Sequence, residues 1–167
     1  MLKKVLIFIF CLLVMLPQES HADVKVKQLL LMSPEDIGRL LEAEKGTKSV
    51  YVVMKTDCLP CHEKFLNLLT LKPEERDRVT AIFLSDRAVG FKRYMNSFKE
   101  IPLRIIYNKG SEYDLAKVLK NYGVRPWTTV PRVILFDENV RVFGQGAHTA
   151  DKISIFLSGQ EPVIAHE

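Results

Sequence analysis

Cysteine is scarce in this sequence, with only Cys11, Cys58 and Cys61. Three are too few for a disulfide-scaffold toxin or a cysteine-rich zinc array. Glycine and proline number eight each, which excludes collagen and low-complexity chains. There is one tryptophan, and no internal repeat, charge block or Gly/Ser-rich linker marks a second domain. Neither sign of charge dominates, and a net charge of +4 names no partner. Long apolar runs are missing as well. The longest, residues 5–16, is too short to span a bilayer comfortably.

What remains is an ordinary globular composition, 47% hydrophobic and 26% charged, with mean hydropathy +0.03. A chain of 167 residues is long enough for one domain to bury a continuous core.

The apolar run follows Lys3 and Lys4, is broken by Pro17, and precedes the small residues of Ser20-His21-Ala22. That layout reads as a secretory signal over residues 1–22, with an uncleaved membrane anchor as the alternative. Cleavage removes Cys11 and leaves one cysteine pair in a domain over residues 23–167. A short apolar run after two lysines points to a bacterial, periplasmic address, where disulfides are permitted.

The mature part alternates strand and helix patterns. Residues 24–32 open with alternating Val and Lys, as a partly exposed strand would. Ser33-Pro34-Glu35-Asp36 starts a helix, with Ser33 as its cap, and the pattern ends near Gly46. Residues 49–55 (SVYVVMK), 79–84, 103–107 and 132–137 read as buried strands. Residues 59–71, 87–99, 112–122 and 149–158 read as helices, the first closed by Lys72-Pro73. Asp137-Glu138-Asn139 should turn the chain into a hairpin strand over 140–143. Phe91, Tyr94, Met95 and Phe98 recur at helical spacing and read as core. The basic residues at 76–78 and 92–93 lack the aromatic interleaving of a nucleic-acid surface. The pattern implies an α/β domain with a mainly parallel sheet and antiparallel edge strands.

The chemistry lies at Thr56-Asp57-Cys58-Leu59-Pro60-Cys61-His62, between a buried strand and an amphipathic helix. Cys58 falls at the helix N-terminus, where free N–H groups and the helix dipole favour a thiolate. Cys61 lies one turn on and can close a small ring with it. Pro60 is tolerated because the first helical turn needs no N–H there. His62 and Lys55 are nearby donors that could modulate the pair.

Residues 49–143 resemble the thioredoxin-like thiol–disulfide oxidoreductases. The resemblance rests on SVYVVMK, the CLPC motif, Tyr122-Gly123-Val124, then Thr129-Val130-Pro131 running into RVILFD. It implies a central mixed β-sheet flanked by helices. It also implies that Pro131 is cis and faces the cysteines, with Thr129, Val130 and Pro131 binding substrate. The stretch 86–123 is similar to the extra helix–strand unit of periplasmic cytochrome-maturation thioredoxins. No cofactor is called for by such a reading. The partners it implies are protein thiols and disulfides and a membrane or soluble redox partner, without nucleic acid or membrane insertion after signal cleavage.

Two departures stand out. Asp57 replaces the usual Trp before the first cysteine, and its charge opposes a thiolate. Val52 stands where many members bury a carboxylate, so the proton acceptor for Cys61 falls to His62, Lys55 or water. Cys58-Leu59-Pro60-Cys61-His62 is also a C-x-x-C-H haem-attachment sequence. Zinc is a weaker reading, because His148 and His166 are remote in sequence. An inert disulfide and a non-enzymatic assembly factor are the remaining alternatives. Trp127, four residues before Pro131, could border a peptide groove. The expectation is an exported thiol–disulfide oxidoreductase, with the reductase or isomerase direction favoured.

Overall fold

The computed structural model describes residues 24–84 and 87–160, so the signal-like segment lies outside the described residues. Its strands are β1 Lys25–Met32, β2 Ser49–Met54, β3 Val79–Leu84, β4 Glu100–Asn108, β5 Arg132–Phe136 and β6 Val142–Gly146. The helices are α1 Pro34–Ala43, α2 Leu59–Leu69, α3 Pro73–Arg76, α4 Ala88–Asn96, α5 Glu112–Lys120 and α6 Ala150–Ser158.

The sheet runs β1-β4-β3-β2-β5-β6. The first four are parallel, while β5 is antiparallel to β2 and β6 to β5. β2 and β3 are buried throughout, as their predominantly apolar sequences suit in central strands, with only Ser49 and Thr80 polar. Successive side chains point to opposite faces. Val50, Val52 and Met54 therefore join Phe65 and Leu68 of α2, Phe91 and Met95 of α4, and Ile153 and Phe156 of α6. Tyr51 and Val53 face the other way, onto Ile37 and Leu41 of α1 and Leu115 and Leu119 of α5. The result is three layers, helix–sheet–helix, with the α4–β4 unit interposed between β1 and β3 as the extra helix–strand element expected from the sequence.

Three boundaries differ from the sequence pattern for local reasons. Pro73 does not merely end α2. It opens a further helical turn in which the Glu75 carboxylate accepts the Lys72 N–H at 2.9 Å. β4 extends to both sides of its apolar run, because it pairs with β1 on one edge and β3 on the other. The hairpin strand begins at Val142 rather than 140, since the Asp137 carboxylate accepts N–H groups from Asn139 and Arg141 at 2.9 and 2.8 Å. Val140 then takes a left-handed φ of 60° with its side chain buried.

α1 begins as its sequence dictates. Ser33 Oγ accepts the Asp36 N–H and the Asp36 carboxylate accepts the Ser33 N–H, a reciprocal capping box with Pro34 in the first turn. These details matter because α1 packs on α5, whose first turn reaches toward the end of β2.

Candidate active site

β2 ends at Met54, and the chain crosses Lys55-Thr56-Asp57 before α2 starts. Because β5 is antiparallel to β2, it begins beside the place where β2 ends, with Arg132 opposite Val53. The segment before β5 is thereby delivered to the N-terminus of α2. The fold, rather than any local attraction, brings residues 129–131 to the cysteines.

Cys58 is the N-cap of α2 and Cys61 lies in its first turn, with Pro60 between them. The two are joined in a disulfide, their Cα atoms 5.1 Å apart. The Cys61 N–H points at Cys58 Sγ, 3.2 Å away, so the cap position occupied in most helices by a hydroxyl or carboxylate oxygen is held here by sulfur. The Cys58 carbonyl accepts the His62 N–H at 3.0 Å. The pair is asymmetric: Cys58 is half-buried, whereas Cys61 is 1% exposed. Leu59 and Pro60 stand in solvent beside them.

The Val130–Pro131 peptide is cis, as the resemblance implied. The Val130 carbonyl oxygen lies 3.7 Å from Cys58 Sγ, and Thr129 is exposed next to it. Of the three residues expected in a substrate loop, Val130 is the one whose contact is with Cys58 rather than Cys61.

The modulating candidates are differently engaged. His62 Nδ1 is 3.1 Å from the Tyr94 hydroxyl, and its ring meets that of Tyr94 edge-on. Burial pushes the Tyr94 phenol up to about 12, so it stays protonated at neutral pH. Lys55 Nζ pairs with Glu112 Oε2 at 2.9 Å. Glu112 Oε1 in turn accepts the Trp127 indole N–H at 3.1 Å. Glu112, in the first turn of α5, thus ties the strand entering the C-x-x-C to the loop entering Pro131. The sequence pattern gave no sign of this residue's place, which depends on tertiary contacts far apart in the chain. Val52 is fully buried in the sheet, and Asp57 is exposed.

Among the described residues no three His, Cys, Asp or Glu side chains cluster as a metal site would need. No helix among them is long and apolar enough to cross a membrane.

No protein-family model matches the chain, and no curated protein matches it either. Solved structures do. A thiol:disulfide interchange protein of the thioredoxin family from Chlorobium tepidum superposes with a TM-score of 0.57 at 16% identity, over 71% of this chain and 83% of that one. The fold is a thioredoxin fold. The exposed lipoprotein thioredoxin of Streptococcus pneumoniae gives a TM-score of 0.54 at 19% identity, covering 71% and 89%. A DsbF homologue from Corynebacterium diphtheriae gives 0.51 at 19%, covering 71% and 75%. Within this thioredoxin fold the disulfide occupies the strand–helix junction, and the carbonyl of Val130, the residue before the cis proline, lies beside it.

Proposed function

We propose that the protein exchanges its Cys58–Cys61 dithiol and disulfide with protein substrates, as a thiol–disulfide oxidoreductase outside the cytoplasm. The observation that carries this reading is the unequal exposure of the two sulfurs beside the Val130 carbonyl. An accessible Cys58 is the nucleophile and a buried Cys61 the resolving thiol.

In the reducing direction, the Cys58 thiolate attacks one sulfur of a substrate disulfide and the other substrate sulfur leaves as a thiolate. Cys61, as thiolate, then attacks Cys58 Sγ, closing the Cys58–Cys61 bond and releasing the second substrate thiol. Two electrons pass to the substrate, and a membrane or soluble redox partner returns them. Thr129, Val130 and Pro131 hold the substrate strand by backbone pairing, while Lys55, Pro60 and His62 modulate the pair. No further cofactor enters these steps.

The reducing or isomerising direction is supported by what surrounds Cys58. Strong oxidants stabilise their reduced form, chiefly through the first thiolate. Here the intervening residues are Leu59 and Pro60, which offer no charge, and Asp57 adds an opposing one. The export reading rests on residues 1–22 as a cleaved signal ahead of the domain at 23–167, with the mature protein periplasmic. Recovery of a mature chain beginning at residue 23 would test it.

Redox titration of the Cys58–Cys61 couple against glutathione tests the direction. A potential near the thioredoxin value of about −270 mV supports a reductase, and one near about −120 mV overturns that direction in favour of an oxidant. Failure of the oxidised couple to exchange with any thiol overturns the proposed activity itself.

A further inference from the structure

The inserted α4–β4 unit reaches the exchange helix through one side chain. Tyr94, on α4, is half-buried, and its ring packs against Phe65, Phe83 and Phe98 with centroids 5.9, 5.5 and 5.3 Å away. Three rings therefore fix where its hydroxyl stands. That hydroxyl is 3.1 Å from His62 Nδ1. The His62 ring is also held from the side, edge-on to Tyr94 and with its centroid 6.1 Å from that of Phe98.

His62 follows Cys61 and lies one turn beyond Cys58, whose carbonyl accepts the His62 N–H at 3.0 Å. Side chains four residues apart share a side of a helix, with Cβ atoms about 5–6 Å apart. Cys58, Tyr94 and Phe98 pack against the same apolar cluster.

The bond between Tyr94 and His62 has a direction. A phenol is a stronger donor than a neutral imidazole N–H, and an imidazole nitrogen is a better acceptor than a phenol oxygen. Tyr94 also keeps its proton, because burial pushes the phenol up to about 12. The acceptor found for that hydroxyl among the described residues is His62 Nδ1. A neutral imidazole that accepts at Nδ1 carries its own proton on Nε2. His62 is then a donor at its remaining nitrogen, not a base.

We infer that Tyr94 is a positioning residue for the exchange site: it fixes His62 as the Nε2–H tautomer, and that N–H steadies the Cys58 thiolate once the disulfide is reduced. The inference rests on the proposed exchange by Cys58 and says what the inserted unit contributes to it. The Cys61 N–H already points at Cys58 Sγ, and a thiolate has room for a second donor. Steadying the thiolate favours the dithiol form, so the couple becomes easier to reduce. It also removes His62 from the proton acceptors open to Cys61, since both ring nitrogens are committed.

Two measurements test it. Imidazole nitrogen NMR of the oxidised wild-type protein at about pH 8, above the ordinary imidazole range, reports the tautomer. The Nε2–H form of His62 should predominate, and its Nδ1 resonance should move when Tyr94→Phe removes the hydroxyl but keeps the ring. A predominant Nδ1–H form overturns the inference, and so does an Nδ1 resonance that stays in place. Redox titration against glutathione at neutral pH reads the consequence. Tyr94→Phe should make the couple about fivefold harder to reduce, a shift of about 20 mV. His62→Ala should do at least as much, and Tyr94→Phe should add nothing to it in the double variant. A wild-type constant in Tyr94→Phe overturns the inference, as does a double variant in which the two losses multiply. The wild-type tautomer needs no variant, so it decides even if a variant does not fold. If the wild-type couple does not equilibrate with glutathione at all, the exchange activity itself has failed and the inference falls with it.

Discussion

Cys58 Sγ and the Val130 carbonyl oxygen lie 3.7 Å apart although 72 residues separate them in the chain. One belongs to the cap of α2 and the other to the segment entering β5. The contact exists because β5 runs antiparallel beside β2, so that the start of one strand meets the end of the other. Cys58 and Val130 are thus brought together by β2 and β5, neighbouring strands of the sheet, rather than by a flexible connection.

The exposure difference between the two sulfurs predicts distinct variant behaviour. Cys61→Ala retains the accessible nucleophile but lacks the thiol that resolves a mixed disulfide, so substrate should remain covalently attached. Cys58→Ala should trap nothing and exchange nothing. Non-reducing gels of the two variants with a disulfide-bonded substrate check this. Equal trapping by both would remove the assignment of Cys58 as nucleophile.

Glu112 predicts an effect on the loop that is larger than its effect on stability. Its pair with Lys55 is about two-fifths exposed on both sides, so the pair contributes about 0.2–1 kcal/mol at most. Its other oxygen accepts the N–H of Trp127, the sole tryptophan. Glu112→Ala should therefore lower unfolding free energy by less than about 1 kcal/mol while shifting Trp127 fluorescence to the red as the indole loses its partner. An unchanged emission spectrum would show that the indole is not held by Glu112.

Much of this arrangement was legible in the sequence, and the reason differs from part to part. β2 and β3 were readable because six-residue runs dominated by β-branched, aromatic and other apolar residues (SVYVVM and VTAIFL) suit a strand covered on both faces. Cys58 and Cys61 were readable because a helix N-terminus needs only local sequence. Pro131 was placed by its resemblance to a family position and not by its own chemistry. What stayed hidden is tertiary. Nothing in Glu112 or Trp127 announces that the two meet, and His62 turns toward Tyr94 only because α4 packs across α2. The shift of β6 to Val142 came from the Asp137 side chain, which captures two N–H groups and lengthens the turn.

Phe65 predicts how strongly the site depends on the packing beneath it. It is fully buried in α2, with ring centroids 5.6 Å from Phe83, 5.9 Å from Tyr94 and 5.1 Å from Phe98. Phe65→Ala should cost about 3–5 kcal/mol, the range for emptying a buried aromatic site. The adjacent Leu66 is 43% exposed, and Leu66→Ala should stay within about 0.5 kcal/mol. Urea unfolding of the oxidised proteins compares the two. Similar costs for both would mean that α2 is held by something other than its inward face.

His148 predicts a pH dependence of stability. Its imidazole lies against Gly144 and is held below its ordinary value, chiefly by burial and then by Lys152, Lys64 and Arg132. In the unfolded chain the same group takes up a proton near about 6.5. As pH falls through that value, the unfolded state binds a proton that the folded state resists, so unfolding becomes easier. Stability should therefore be fullest above about pH 7 and decline as pH falls below about 6.5. His148→Gln removes the titrating group and should flatten that part of the profile, leaving the carboxylate-driven loss at lower pH in place. Urea midpoints measured from about pH 7.5 down to pH 5 for both proteins read the difference. Parallel profiles would mean that folding leaves the His148 proton affinity unchanged, and that the cations around it do not act on it.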